Sequence, residues 1–173
     1  MEKMTITEAL AEIKTIGKRI EKKQEFVNQY LVRPENMRDP LDKEGGSEVK
    51  IRDAVQGITD LYKRWVALRL AIQKVNYEVV VMVGSEGMTI AQWLIWRREV
   101  AQGVKKFWDS MAQQVVAKSQ FQFTNAGGVR ETWNPIVSYP ASAITEEREK
   151  LEQILGDLDG QLSLKNATTF IEI

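Results

Sequence analysis

The chain has no cysteine and no histidine among its 173 residues. That excludes disulfides, thiolate and imidazole metal sites, cysteine nucleophiles and every catalytic triad built on a histidine base. An excess of one charge sign is missing too. With 24 basic residues against 24 acidic ones there is no global field to draw nucleic acid or an acidic membrane, so either would have to bind a local patch. No apolar run approaches the roughly 20 residues of a membrane span, and Met1-Glu2-Lys3-Met4 carries nothing like the apolar core of a signal peptide. A soluble intracellular product is expected, or a particle component assembled in the cytoplasm. The length suits a single domain, 1–173, able to bury a core if its helices fold back on one another.

What is present is helical periodicity. From Ile51, apolar residues fall at Ala54, Ile58, Leu61, Trp65, Leu68, Ile72, Val75 and Val79, in alternating steps of three and four. Such a heptad seam makes a narrow apolar stripe, suited to a long helix that pairs with another helix. Arg52, Asp53, Gln56, Asp60, Lys63, Arg64, Arg69 and Gln73 occupy the other positions and are expected to face water.

A first helix is predicted from Thr5, whose hydroxyl can cap the free amides while Glu8 completes a capping box; Thr7 is a competing cap. Its stripe is Ile6, Leu10, Ile13, Ile20, Val27 and Leu31, and Lys18, Arg19, Lys22 and Lys23 read as a solvated basic face. Pro34, Pro40 and Gly45-Gly46 break the pattern between Val32 and Gly46, the connector of a helical hairpin. Ser47 is expected to cap the seam helix, which runs to about Asn76. Tyr77 to Val83 is rich in β-branched residues and reads as a short strand before the turn Gly84-Ser85-Glu86-Gly87. A third helix opens at Thr89, backed by Gln92, and continues to about Ser119. Its apolar residues cover more than one stripe, which predicts a helix sandwiched between neighbours. Phe121 to Ala143 is expected to be a large ordered hairpin or loop. A fourth helix from about Thr145 carries Leu151, Leu155, Leu158 and Leu162, and Thr168 to Ile173 reads as a second short strand.

Two correspondences indicate an internal duplication. Met4-Thr5-Ile6-Thr7-Glu8-Ala9-Leu10 matches Met88-Thr89-Ile90-Ala91-Gln92-Trp93-Leu94. Leu61, Trp65, Leu68, Ile72 and Asn76 are answered by Leu151, Leu155, Leu158, Leu162 and Asn166. The predicted fold is mainly α, with coiled-coil-like antiparallel hairpins from two pseudo-repeats, about 4–83 and 88–173, two short strands pairing near one end, and an irregular aromatic loop. Asn76 and Asn166, tolerant of left-handed backbone, are expected to end their helices.

Candidate chemistry is sparse. Asp157-Leu158-Asp159-Gly160 resembles a fragment of a calcium loop, but the other ligands are missing at the required spacing. Gly156 and Gly160 are better read as places where a neighbouring backbone comes close. Asn166-Ala167-Thr168 fits a glycosylation acceptor that has no secretory route, and Gly84-Ser85-Glu86-Gly87 lacks the lysine of a phosphate loop. No catalytic, cofactor-binding or metal residue is assigned, and no cofactor is expected. The candidate surface is a partner interface of Trp93, Trp96, Arg97, Arg98, Phe107, Trp108 and Met111 on the third helix, with Trp133 and Tyr139 from the loop beyond it. Basic residues beside amphipathic rings can meet a protein, a membrane surface or nucleic acid.

Thr7-Glu8-Ala9-Leu10, Asn76, Met88-Thr89-Ile90 and Asn166-Ala167-Thr168-Thr169 together resemble a family of small helical proteins labelled septicolysin-like, and related hypothetical proteins of tailed bacteriophages. The phage likeness implies a structural or assembly role in a virion, with the chain itself or other structural proteins as partners. The toxin-like label implies membrane action instead, through helix 89–119 as an amphipathic anchor. The first reading is the expected one: a non-enzymatic helical protein, assembled in the host cytoplasm, with no small-molecule substrate and no nucleic-acid partner.

Overall fold

The structure, a computed structural model, describes residues 2–118, 121–124, 127–128, 130–134 and 136–173. Its two halves begin alike, because each helix that opens a repeat follows a short strand that ends in a capping threonine. β1 (Lys3–Thr5) leads into α1 (Ile6–Tyr30), and the Thr5 hydroxyl accepts from the Glu8 N–H at 3.2 Å while the Glu8 carboxylate accepts from the Thr5 N–H at 2.8 Å. The Thr5 N–H first, and then the Thr5 hydroxyl, which also donates to the carboxylate at 2.9 Å, hold the Glu8 carboxyl below the usual range. Thr89 and Gln92 repeat the box at 3.2 and 2.9 Å. Thr7, the competing cap, lies inside α1.

Beyond α1 the connector uses Gly45 and Gly46 at φ +101° and +91°, backbone that a β-carbon would strain. α2 spans Ser47–Glu78, and its cap is not Ser47. Asp39, eight residues back, accepts from both the Ser47 N–H and hydroxyl, and its other contact is the Leu41 N–H at 2.9 Å. The Ser47 hydroxyl, then its N–H and that of Leu41, bring the Asp39 carboxyl down to about 2. Asn76 does not end α2 through left-handed backbone: no described non-glycine residue has positive φ, and two more helical residues follow it. Asn166 likewise lies inside α5 (Ala141–Thr168).

The strands depart from expectation in a way that sharpens the duplication. β2 (Val80–Val83) and β6 (Phe170–Glu172), the two expected strands, do not pair with each other. β2 pairs with β3 (Glu86–Thr89) across the two-residue turn Gly84-Ser85, where Gly84 supplies φ +58°, and β6 pairs with β1. The registers are equivalent. Thr89 faces Val80 as Thr5 faces Phe170, and Met88 faces Val81 as Met4 faces Ile171. The Ile90 N–H reaches Val79 O as the Ile6 N–H reaches Thr169 O, both at 3.0 Å. So each hairpin takes its leading strand from one repeat and its trailing strand from the other. Burial repeats as well: residues 72–82 and 162–172 follow the same sequence of buried, intermediate and exposed positions.

The chain divides into two compact units, Met1–Glu78 with Leu164–Ile173, and Val79–Ser163. In the first, Ile6, Ala9, Ile13, Ile16 and Ile20 of α1 pack with Ala54, Leu68 and Ile72 of α2 and Ile171 of β6. The seam is therefore closed within the chain, and its apolar area supplies the main driving force of the unit. Arg64 does not face water. It is 30% exposed and engages Glu12 of α1 (2.8 Å) and Glu2, which raise its pKa further. In the second unit Val81, Val83, Ile90, Trp93, Ala101, Ile144, Leu151, Leu158 and Leu162 form the core. Phe121 to Ala143 contains a hairpin, β4 (Phe121–Thr124) with β5 (Arg130–Trp133), where a hairpin or loop was expected; Ala126 and Pro135 of that stretch lie outside the described residues. The predicted helix end at Ser119 also lies outside them.

Candidate functional site

The third helix explains its own excess of apolar residues. It is three segments in succession: α3 (Ile90–Ile95), a π-helical turn (Trp96–Val100) and α4 (Ala101–Ala117). In α1 the buried positions step Ile6, Ala9, Ile13, Ile16, Ile20. In the second repeat the steps begin in the same way with Ile90 and Trp93, but the next fully buried residue is Ala101 at 1%, while Val100 is 45% exposed. The π turn absorbs one additional residue and moves the stripe on by one position. After it the seam resumes at Ala101, Val104, Trp108, Met111 and Val115, all buried or half-buried. The apparent second stripe is one seam read in two registers.

That seam lies against α5, antiparallel to it, and three ion pairs fix the alignment: Arg97–Asp159 at 2.9 Å, Lys105–Glu152 at 3.4 Å and Arg148–Asp109 at 2.9 Å. All are partly exposed, so they set register more than stability. Asp157 and Asp159 stand inside this helix, not in a loop of calcium-binding shape.

The predicted interface residues divide into two groups. Trp93 belongs to the core, 2% exposed, and its indole N–H donates to Val81 O at 2.9 Å, so it is not available to a partner. Trp96 leans on it edge to face at 5.5 Å, Arg97 is engaged by Asp159, and Arg98 pairs with its neighbour Glu99 at 2.7 Å in the open. One helical stretch further, Phe107 meets Trp108 at 4.9 Å between ring centroids, and Trp108 meets Tyr139 at 6.1 Å. Met111 follows Trp108 on the same seam, half-buried. Two rings of this cluster are open to the outside, Phe107 at 56% exposed and Tyr139 at 42%. Trp133 contributes backbone pairing to Phe121, and its side chain lies outside the described residues.

Two surfaces escaped the sequence reading. Arg19 and Lys22 are exposed, as a solvated basic face requires, and with the half-buried Lys23 they also line a shallow groove shared with Gly57, Asp60 and Leu61 of α2, where the Lys23 ammonium takes the space a Gly57 side chain would fill. The second surface is an exposed apolar face of α2 that includes Tyr62, Val66 and Leu70. Its signal was present, because Val55, Thr59, Tyr62 and Val66 step by four, three and four beside the main seam.

The fold has a solved counterpart. A crystal structure described as a functionally unknown conserved protein from Corynebacterium diphtheriae aligns with a TM-score of 0.60, covering 99% of this chain and 100% of that one at 16% sequence identity. At that identity the likeness is one of fold alone. No protein-family model and no curated protein matches the chain. Among the described residues no helix is long and apolar enough to cross a membrane.

Proposed function

We propose that this chain is a non-enzymatic helical assembly protein that joins a larger protein particle, a bacteriophage virion being the setting, through the aromatic face of its second unit. The observation that carries the reading is the contact of Phe107 and Tyr139, both more than 40% exposed, with the half-buried Trp108. An aromatic anchor with an exposed apolar surround is what the centre of a protein interface is made of. The virion setting is supported by the resemblance of the two repeat openings and the Asn166-Ala167-Thr168-Thr169 segment to tailed-phage proteins. Membrane docking through helix 89–119 is the weaker reading. Trp93 is turned inward and Arg97 and Lys105 engage carboxylates, which leaves few free anchors for a lipid headgroup.

Particles purified on a density gradient from producing cells test this. The chain is expected to sediment with them, and a Phe107→Ser, Tyr139→Ser double variant to lose recovery by roughly tenfold or more, as hot-spot truncations do. Arg98→Ala is expected to change nothing. A chain found wholly in the particle-free fraction, or floating with anionic vesicles, would contradict the proposal.

A further inference from the structure

The π turn between α3 and α4 leaves the third helix with two complete seams. Counted on from Ile90 and Trp93 in the alternating steps of α1, with no residue absorbed, the stripe runs through Arg97, Val100, Val104, Phe107 and Met111. Arg97, at the first of these places, is engaged by Asp159. The seam that packs is instead Ala101, Val104, Trp108 and Met111. Val104 and Met111 belong to both. The two seams therefore differ by exchanging Ala101 and Trp108 for Val100 and Phe107, pairs of closely similar total volume, which is the replacement a core tolerates best. Val100, 45% exposed, and Phe107, 56% exposed, are the pair left outside.

α4 is held loosely enough to turn. α1 buries Ile6, Ala9, Ile13, Ile16 and Ile20 of its seam, whereas α4 buries Ala101 alone and leaves Val104, Trp108 and Met111 half-buried. What favours the observed seam is polar. Lys105 and Asp109 lie on the Trp108 side of the helix, where they pair with Glu152 and Arg148 of α5, and turning Phe107 inward carries both of them away from α5. Partly exposed pairs of this kind bias an equilibrium by no more than about fivefold each. Against that bias, the second seam releases the π turn, a rare and less favourable form of helix.

We propose that the π turn is a register switch: α4 turns about its axis between the Ala101–Trp108 seam and a π-free Val100–Phe107 seam, and the Lys105–Glu152 and Arg148–Asp109 pairs hold it in the first. The second register draws Phe107 into the unit and brings Trp108 outward. As a control on docking it rests on the assembly reading, but its test needs no particle, and its failure would leave that reading standing. Thiol labelling of the full chain provides the test, because an introduced cysteine is the sole thiol in the molecule. A cysteine at position 101, 1% exposed in the observed register, reacts each time α4 turns, whereas one at Val81, 0% exposed in β2, reports opening of the whole unit. Ala101→Cys is expected to label roughly tenfold faster than Val81→Cys, or more. Adding Lys105→Ala with Asp109→Ala should speed it a further fivefold or so, at about fivefold or less per pair removed. Deletion of Glu99, which takes out the residue the π turn absorbs, should slow it to the rate of Val81→Cys. Phe107→Lys should do the same with the turn left intact, because an ammonium cannot replace the ring in the seam. Equal labelling of Ala101→Cys and Val81→Cys in the otherwise natural chain would overturn the switch, and so would fast labelling that neither the deletion nor Phe107→Lys slows.

Discussion

Trp93→Ala is expected to cost about 4 kcal/mol, the largest loss from any single side chain in the second unit. Trp93 is 2% exposed, its ring packs edge to face with Trp96, and its N–H satisfies Val81 O in β2. Alanine would leave a cavity where α3 meets the β2–β3 hairpin, together with a buried carbonyl deprived of its donor. Trp93→Phe separates the two contributions, since it keeps most of the ring but loses the donor. It should cost about 1–2 kcal/mol. Thermal unfolding followed by near-ultraviolet circular dichroism reads both, with the alanine variant melting roughly 10 °C lower. Equal losses for the two variants would show that the hydrogen bond, not the packing, dominates. No loss for either would remove Trp93 from the core.

Leu68→Ala and Leu158→Ala are expected to cost about 3 kcal/mol each, and to do so alike. Both leucines are 0% exposed, at equivalent places on α2 and α5. Leu164→Ala, at a 56% exposed site, should stay within about 0.5 kcal/mol. Chemical denaturation of the three variants decides the matter. A large loss at Leu68 with none at Leu158 would mean that the repeats share sequence without sharing a core.

What the sequence made legible was local. Thr5–Glu8 and Thr89–Gln92 announce their helices because a capping box is closed within four residues, and the α2 seam is readable because packing on one partner enforces the alternation of three and four. Strand pairing was not legible. Lys3–Thr5 and Glu86–Thr89 are too short to show alternation, and the glycines around Gly84-Ser85 mark the end of β2 without showing that the chain returns at once as β3. The π turn misled in another way. One inserted residue splits a single stripe into two registers, so the apolar residues of one seam read as more than one stripe, while the second face of α2 stays hidden behind its more regular seam. Of the candidate interface, Phe107, Trp108 and Tyr139 meet one another, whereas Trp93 is buried, as its spacing of three from Ile90 on the core stripe requires.

Each repeat closes the other's hairpin, and a circular permutant puts that duplication to the test. Val83 and Glu86 flank the Gly84-Ser85 turn; Ile173 and Glu2 hold the equivalent places, their backbones exchanging hydrogen bonds at 3.1 and 3.2 Å. Joining Ile173 to Glu2 through Gly-Ser and opening the chain between Gly84 and Ser85 should therefore only move the turn from one hairpin to its counterpart. The permutant should show the far-ultraviolet spectrum and cooperative unfolding of the natural chain. A permutant that fails to fold, while the same Gly-Ser closure without the new opening folds normally, would contradict it.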